Sequence, residues 1–435
     1  MNNENHLYRR QLFQLALPAM MENILQILMG VTDTYLVTRL GLVAISGVSV
    51  ANNIITIYQA IFIALGAATS SLIAKYIGQK NAKGCLQLQA DSIVLAFIVS
   101  LILGGLSLFG GESLIGGLGT NQSVAQIGGL YLAIVGGGIV SLGILTILGA
   151  IHRAQGRPKL PMYVSAFTNI LNAILSALSI TLFDFGVVGI AGATVLSRVV
   201  GCLILARALP MVAIGHKLRF KISHDLVALS LPTAGERLMM RAGDVAIIAI
   251  IVSFGTRVVA GNAVGETITQ FNYMPGMGVA TAVLIMVAKA FGEKEYPSIS
   301  RILKFSYASA VAMMFAIGGL VYAMGPVMLP LFTKDTLAME SARTVMLFSF
   351  LGGPATAGTL IYTALWQALG KANLPFYATS IGMWGVRIVL GYLLGIGFGL
   401  GLAGVWLATV LDNLFRWAFL AFLYRYYRHK LFTEI

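Results

Sequence analysis

The chain repeats itself at a spacing of 214 residues. Leu15-Ala16-Leu17-Pro18 with Glu22 returns as Leu229-Ser230-Leu231-Pro232 with Glu236. Gly41 and Gly47 return as Gly255 and Gly261, and Ala74-Lys75, Gly78 and Lys80 return as Ala288-Lys289, Gly292 and Lys294. Ala154, Gly156-Arg157, Leu160-Pro161 and Tyr163 return as Ala368, Gly370-Lys371, Leu374-Pro375 and Tyr377. One register held from residue 15 to residue 163 without a gap marks an internal duplication. Any fold must therefore be built from two related halves. In an apolar chain this pattern points to a secondary transporter with its site between the repeats.

The apolarity is plain. Of 435 residues, 58% are hydrophobic and 10% charged, and the mean hydropathy is +0.86. Soluble domains carry about 25% charged residues, so this chain belongs in a bilayer. Met1 to Arg10 is polar and basic, and no small-residue cleavage site follows it, so the first apolar segment is expected to be retained. The net charge of +13 fits basic loops on one membrane face better than nucleic-acid binding. Cys85 and Cys202 match no metal spacing and are expected as free thiols.

A spanning helix needs about 20 apolar residues. Twelve stretches qualify: 13–38, 45–74, 88–110, 126–150, 161–182, 187–209, 228–252, 259–288, 304–329, 342–367, 375–397 and 401–424. The expected fold is an all-α integral membrane protein with two pseudo-symmetric six-helix lobes. Residues 1–215 form the first lobe, 216–227 a linker and 228–435 the second. Six spans per lobe is an even number, so the repeat is parallel. Basic residues cluster before span 1 (Arg9, Arg10) and after each even span: Lys75, Lys80, Lys83; Arg153, Arg157, Lys159; Arg207, Lys217, Arg219, Lys221; Lys289, Lys294, Arg301, Lys304; Lys371; Arg425, Arg428, Lys430. The opposite side holds Arg39, Arg257, Lys334 and Arg343. Both termini are therefore expected in the cytoplasm and the chain in the inner membrane.

Ionisable groups inside a span cost at least ~2.5–3.5 kcal/mol at the helix centre, so each needs a reason. Asp33 in span 1 has no base at i±3 or i±4. It is either a cation or proton site or a solvated carboxylate at the membrane edge. Asn169 and Asn172 share one face of span 5, with Thr194 in span 6; these either serve that site or bond helix to helix. In span 7, Arg241 and Asp244 are spaced for a local pair, which leaves Glu236 as the better functional candidate. Glu266 in span 8 lacks a local charged partner, whereas Asp412 and Arg416 in span 12 are spaced as an ion pair. Met239, Met240, Met274, Met277 and Met286 crowd spans 7 and 8, as an adaptable apolar surface or as ordinary packing. Pro275 and Pro354 are expected bending points. All five histidines fall outside the spans, which argues against a histidine-based intramembrane enzyme.

With these residues assembled, the chain resembles the multidrug and toxic compound extrusion (MATE) family, bacterial type. The likeness is carried by Leu17-Pro18 with Val31-Thr32-Asp33-Thr34, Ala74-Lys75 with Gly78, Arg153-Ala154-Gln155-Gly156 with Leu160-Pro161, Ala193-Thr194, Leu231-Pro232 with Glu236, and Met274-Pro275-Gly276-Met277-Gly278. The resemblance implies a cation-coupled antiporter, not an enzyme. It would export amphipathic organic cations by alternating access of two lobes, as a monomer among membrane lipids. It implies no cofactor or metal, with H+ (expected before Na+) as coupling ion. Cation coupling falls on Asp33, Asn172, Thr194 and Glu236, and the possible substrate cleft on Asn169, Ser176, Met240, Glu266, Met274 and Met277. Ser176 stands where the family carries Asp or Asn, and Ala364-Leu365-Trp366-Gln367 lacks the acid some members place in span 10. The alternative is a flippase or exporter of lipid-linked or other metabolites from the same superfamily.

Overall fold

The protein is represented by a computed structural model that describes residues 2–218 and 222–433, with side chains described from 7 to 428 outside 219–221. Arg219 and Lys221 of the basic clusters, and part of the expected linker, lie outside the described residues, as does the side chain of Lys430. Helix is the dominant structure throughout. The first half runs α1 (Asn2–Thr38), α2 (Leu42–Gly78), α3 (Ala82–Gly117), α4 (Gln122–Gly137), α5 (Ile139–Ala154), α6 (Lys159–Thr181), α7 (Gly186–Arg207) and the short α8 (Met211–Gly215). The second runs α9 (His224–Val252), α10 (Thr256–Gly292), α11 (Tyr296–Phe332), α12 (Thr336–Leu351), α13 (Gly353–Ala368), α14 (Asn373–Ser380), α15 (Val389–Tyr392) and α16 (Gly401–Thr433). π-Helical turns at Ile381–Ile388 and Leu393–Gly397 continue α14 and α15 into one span, Asn373–Gly397.

Nine of these stretches are long and apolar enough to cross a membrane among the described residues. The pairs α4/α5 and α12/α13, bent by 42° and 56°, make eleven if each is one span. The twelfth long helix is α9, whose 29 residues reach about 43 Å. It falls below the apolar threshold because Glu236, Arg237, Arg241 and Asp244 all sit inside it. The twelve expected spans thus correspond to twelve helical elements.

The duplication extends to backbone angles. Adding 214 to the bounds of α2, α4 and α5 gives those of α10, α12 and α13. Gly41 and Gly255 precede α2 and α10 with φ of 98° and 100°. Lys80 and Lys294 adopt φ of 55° and 60°, and Gly156 and Gly370 adopt 79° and 77°. Positive φ is costly for a residue bearing a Cβ, so the shared lysine conformation reflects a turn kept in both copies. Asn121 caps α4 by accepting from Val124 N at 3.0 Å, and its repeat mate Asp335 caps α12 by accepting from Ala338 N at 2.9 Å.

The breaks follow the same register. α4 gives way to α5 at Gly138, and α12 to α13 at Gly352. Pro354 therefore lies in the first turn of α13, where a missing N–H costs nothing. α10 runs through Pro275 without a break in the helix, from Thr256 to Gly292.

Two compact units result. One is Met21–Ser230; the other is Leu231–Ile435 together with Met1–Met20. Residues 2–20, which the repeat assigns to the first copy, pack with the second. Tyr8 donates to Ser298 Oγ at 2.9 Å, and a Cβ on Gly278 would lie 2.6 Å from the Ala16 carbonyl. Within Met21–Ser230, α2 and α4 cross so closely that a Cβ on Gly128 would meet the Gly47 carbonyl at 2.6 Å. Lipid offers no hydrophobic drive between helices, so such small-residue crossings carry the association. Around them pack Val48, Ala51, Ile55, Phe62, Leu132, Val135 and Ile190. Asp91 on α3 anchors the chain on both sides of residues 219–221. It accepts from Ser223 N at 3.1 Å and from Gln87, which also donates to the Lys217 carbonyl.

Candidate functional site

α1 carries Asp33 into the interior of the first unit, where it is 8% exposed. That burial does not fit a solvated carboxylate at the membrane edge. Asn172 on α6 donates Nδ2 to Asp33 Oδ1 at 2.7 Å. One turn on, buried Ser176 reaches Asn172 Oδ1 at the long distance of 3.5 Å. Thr194 on α7 is buried and gives its proton to the Ile190 carbonyl at 3.0 Å. Tyr131, a buried α4 side chain, interacts with it.

Tyr131 and Arg198 both lie within electrostatic reach of Asp33. Arg198 forms no ion pair with it among the described residues, and its Nη1 is buried without a hydrogen-bond partner. The first-unit cluster is therefore Asp33, Asn172, Ser176, Thr194, Tyr131 and Arg198. Tyr131 was not legible in the sequence, because nothing local ties it to a residue 98 positions earlier. Asn169 points elsewhere: it donates to the Leu25 carbonyl at 2.7 Å and links α6 to α1.

Glu236 on α9 is the buried carboxylate of the second unit, 6% exposed. Gln367 Nε2 of α13 donates to Oε2, and Thr379 Oγ1 of α14 donates to Oε1, both at 3.2 Å. Its two oxygens are thus held by neutral donors from two other helices. Glu22, which shares span 1 with Asp33, forms an ion pair with Arg153 at 2.7 Å.

Two further ion pairs lie within the spans of the second unit. Arg416 donates to Asp412 at 2.8 Å, the i, i+4 pair expected from spacing. The expected Arg241–Asp244 pair gives way to one from outside the helix. Arg387, in the π-helical stretch, donates to Asp244 at 3.2 Å and to Thr409 at 3.0 Å. A π-helical turn inside a span is rare and tends to mark a functional position; here it carries the arginine that crosses to α9. Glu266 is exposed on α10 and interacts with Asn262 one turn back, which in turn accepts from Trp406 at 2.9 Å.

Among the methionines, Met274 is buried in the second unit's core and Met240 and Met277 are half-buried. The structure brings Asp33, Asn172, Ser176 and Thr194 together in one unit and sets Glu236 with Gln367 and Thr379 in the other. It does not group Asn169, Met240, Glu266, Met274 and Met277 with either cluster by any hydrogen bond among the described residues.

The family model described as MatE matches the chain twice, over residues 18–178 and 232–393. The chain belongs to the MatE family. The two matched segments are the two copies of the repeat. Curated MatE-type relatives include the uncharacterized transporter YisQ of Bacillus subtilis, 24% identical over 97% of this chain and 95% of the relative. The probable multidrug resistance protein NorM of Thermotoga maritima is 26% identical over 94% of this chain and 90% of the relative. A crystal structure of MATE in the bent conformation superposes with a TM-score of 0.89 at 22% identity, covering 98% of this chain and 96% of that one. At that identity the likeness speaks to the fold. As a MatE protein the chain is a multi-pass membrane transporter rather than an enzyme.

Proposed function

We propose that this MatE protein is a secondary active exporter that couples inward movement of H+, ahead of Na+, to expulsion of amphipathic organic cations by alternating access. It works as a monomer in the inner membrane with both termini in the cytoplasm. The observation that carries this reading is Asp33, a carboxylate buried within a span and held by one amide. A charged acid in that setting is costly, and neutralising it by a proton or metal ion removes the cost. The relative named a probable multidrug resistance protein supports the substrate class.

The chemistry of the switch follows from donor and acceptor counts. Ionised Asp33 accepts the Asn172 amide. Once protonated it gains a donor while keeping an acceptor oxygen, and the Asn172 oxygen, which now faces Ser176, is the nearby acceptor for the new O–H. Turning that amide breaks the Ser176 contact and loosens α1 from the α6 arrangement it held. Proton binding thereby biases two packings of α1, α6 and α7, and drug release outward accompanies the shift. Glu236 is the second coupling carboxylate.

Asp33→Asn should lower efflux of a fluorescent organic cation from energised cells at least tenfold at equal expression. Wild-type efflux would reject Asp33 as the coupling residue. Glu236→Gln should lower it severalfold, because Asp33 remains. In proteoliposomes, a pH gradient alone should drive uptake into the lumen, and a sodium gradient alone should not; the reverse result would assign sodium.

A further inference from the structure

The duplication places a glutamate at the same point of both copies and then treats the two differently. Glu22 and Glu236 are 214 residues apart, and so are Arg153 and Gln367. In the first copy Arg153 Nη1 donates to both oxygens of Glu22, at 3.0 and 2.7 Å, with each side chain 15% exposed. In the second copy Gln367 Nε2 donates to Glu236 Oε2 at 3.2 Å. The backbone is the same in both: α5 and α13 end at Ala154 and Ala368, and the glycines two residues later adopt φ of 79° and 77°. One carboxylate position and one partner position are therefore shared, and a guanidinium in the first copy stands where a neutral amide stands in the second.

The consequence is electrostatic. A carboxylate in a span requires a compensating positive charge or a proton. Arg153 supplies that charge permanently, since a guanidinium does not deprotonate in proteins. Gln367 supplies a donor and no charge. Two other bases act on Glu236 at longer range, Arg237 on its own helix and Arg416 on α16. Neither forms an ion pair with it among the described residues, and Arg416 is paired to Asp412 at 2.8 Å. The chemistry of the partners also differs. Guanidinium offers no acceptor, whereas an amide and a hydroxyl such as Thr379 carry oxygens suited to a hard cation.

We infer that Arg153 is a tethered occupant of the cation position in the first copy, and that Gln367 keeps the equivalent position in the second copy open to a free monovalent cation, a proton or an alkali ion. This rests on Glu236 being a coupling carboxylate. Arginine at one copy and glutamine at the other sets how many such ions the protein takes up.

The test uses the full-length purified protein and two probes: proton uptake after a pH jump in sodium-free buffer, and equilibrium binding of radioactive sodium at fixed pH. Gln367→Arg should remove one bound cation per protein and match Glu236→Gln. Arg153→Gln should add one bound cation per protein, and Glu22→Gln added to it should return the count to the wild-type value. The probe that changes identifies the ion. Wild-type binding by Gln367→Arg, or no added cation in monodisperse Arg153→Gln, overturns the inference. Should Arg153→Gln fail to fold, Gln367→Arg decides alone. If Glu236→Gln itself binds as wild type, the reading of Glu236 fails and the role of Gln367 falls with it. If Glu236→Gln loses a cation and Gln367→Arg does not, only the inference falls.

Discussion

Asp412 and Arg416 are 0% and 4% exposed and make a 2.8 Å contact, so neither charge has solvent to fall back on. Removing one partner should cost more than removing both. Breaking a buried pair typically costs about 3–5 kcal/mol, whereas replacing both members by neutral groups is often tolerated. Arg416→Met should therefore lower the melting temperature in detergent clearly, and Asp412→Asn with Arg416→Met should recover much of the loss. Equal melting of the two variants would contradict the pairing. This pair was legible because its members lie one helical turn apart. The same spacing argument failed for Arg241 and Asp244, since Arg387 comes from 143 residues away to claim Asp244. Glu22 with Arg153, 131 residues apart, was equally hidden. Contacts within a helix follow from sequence spacing; contacts between helices need the packing.

At the scale of elements, the duplication makes each local device appear twice, and the copies differ informatively. Asn121 and Asp335 cap α4 and α12, but only Asp335 also pairs with a base, Arg257 Nε at 2.6 Å. The hydrogen bond from Arg257, then that from Ala338 N, holds the Asp335 carboxyl below its ordinary value of 3.8. A depressed carboxylate stabilises the fold above its unfolded value, and the contribution is lost as pH falls through the lower folded value. The melting gap between wild type and Asp335→Ala should be full at neutral pH and shrink below about pH 4. A gap that widens in acid would reverse the sign. The α2/α4 crossing gives a steric prediction. Gly128→Leu has no room at the Gly47 carbonyl, so the variant should lose most monodisperse protein on size exclusion. Span positions could be read from the sequence, and the bend expected at Pro354 falls two residues earlier, at Gly352. Gly138 could not be singled out among so many glycines, and the π-helical turns leave no local signature. Pro275 leaves α10 unbroken, as spans tolerate where neighbouring groups can satisfy the backbone it frees.

At the scale of the whole molecule, twelve helical elements and a register of 214 were evident from the sequence, because a duplicated span pattern survives substitution of most side chains. What the halves have done since duplicating was not, because Asp33 has Ile247 as its repeat mate and Arg153 has Gln367. Divergence of this kind gives each half its own carboxylate, with Asn172 holding one and Gln367 and Thr379 the other. The helix ends carry a last consequence. Connections at 39–41, 118–121, 182–185, 253–255, 333–335 and 398–400 alternate along the chain with those at 79–81, 155–158, 208–223, 293–295 and 369–372. The second set, with its flanking helix ends, holds Lys75, Lys80, Lys83, Arg153, Arg157, Lys159, Arg207, Lys217, Lys289, Lys294 and Lys371, against Arg39, Arg257 and Lys334 for the first. Short loops rich in Lys and Arg stay on the cytoplasmic side during insertion. A periplasm-dependent phosphatase inserted after Asp184 should therefore be active and one after Arg157 inactive, while a cytoplasm-dependent fluorescent protein fused after Ile435 should fluoresce. The opposite pattern would invert the protein in the membrane. An inward H+ gradient would then approach Asp33 from the other end of α1, and export would become import.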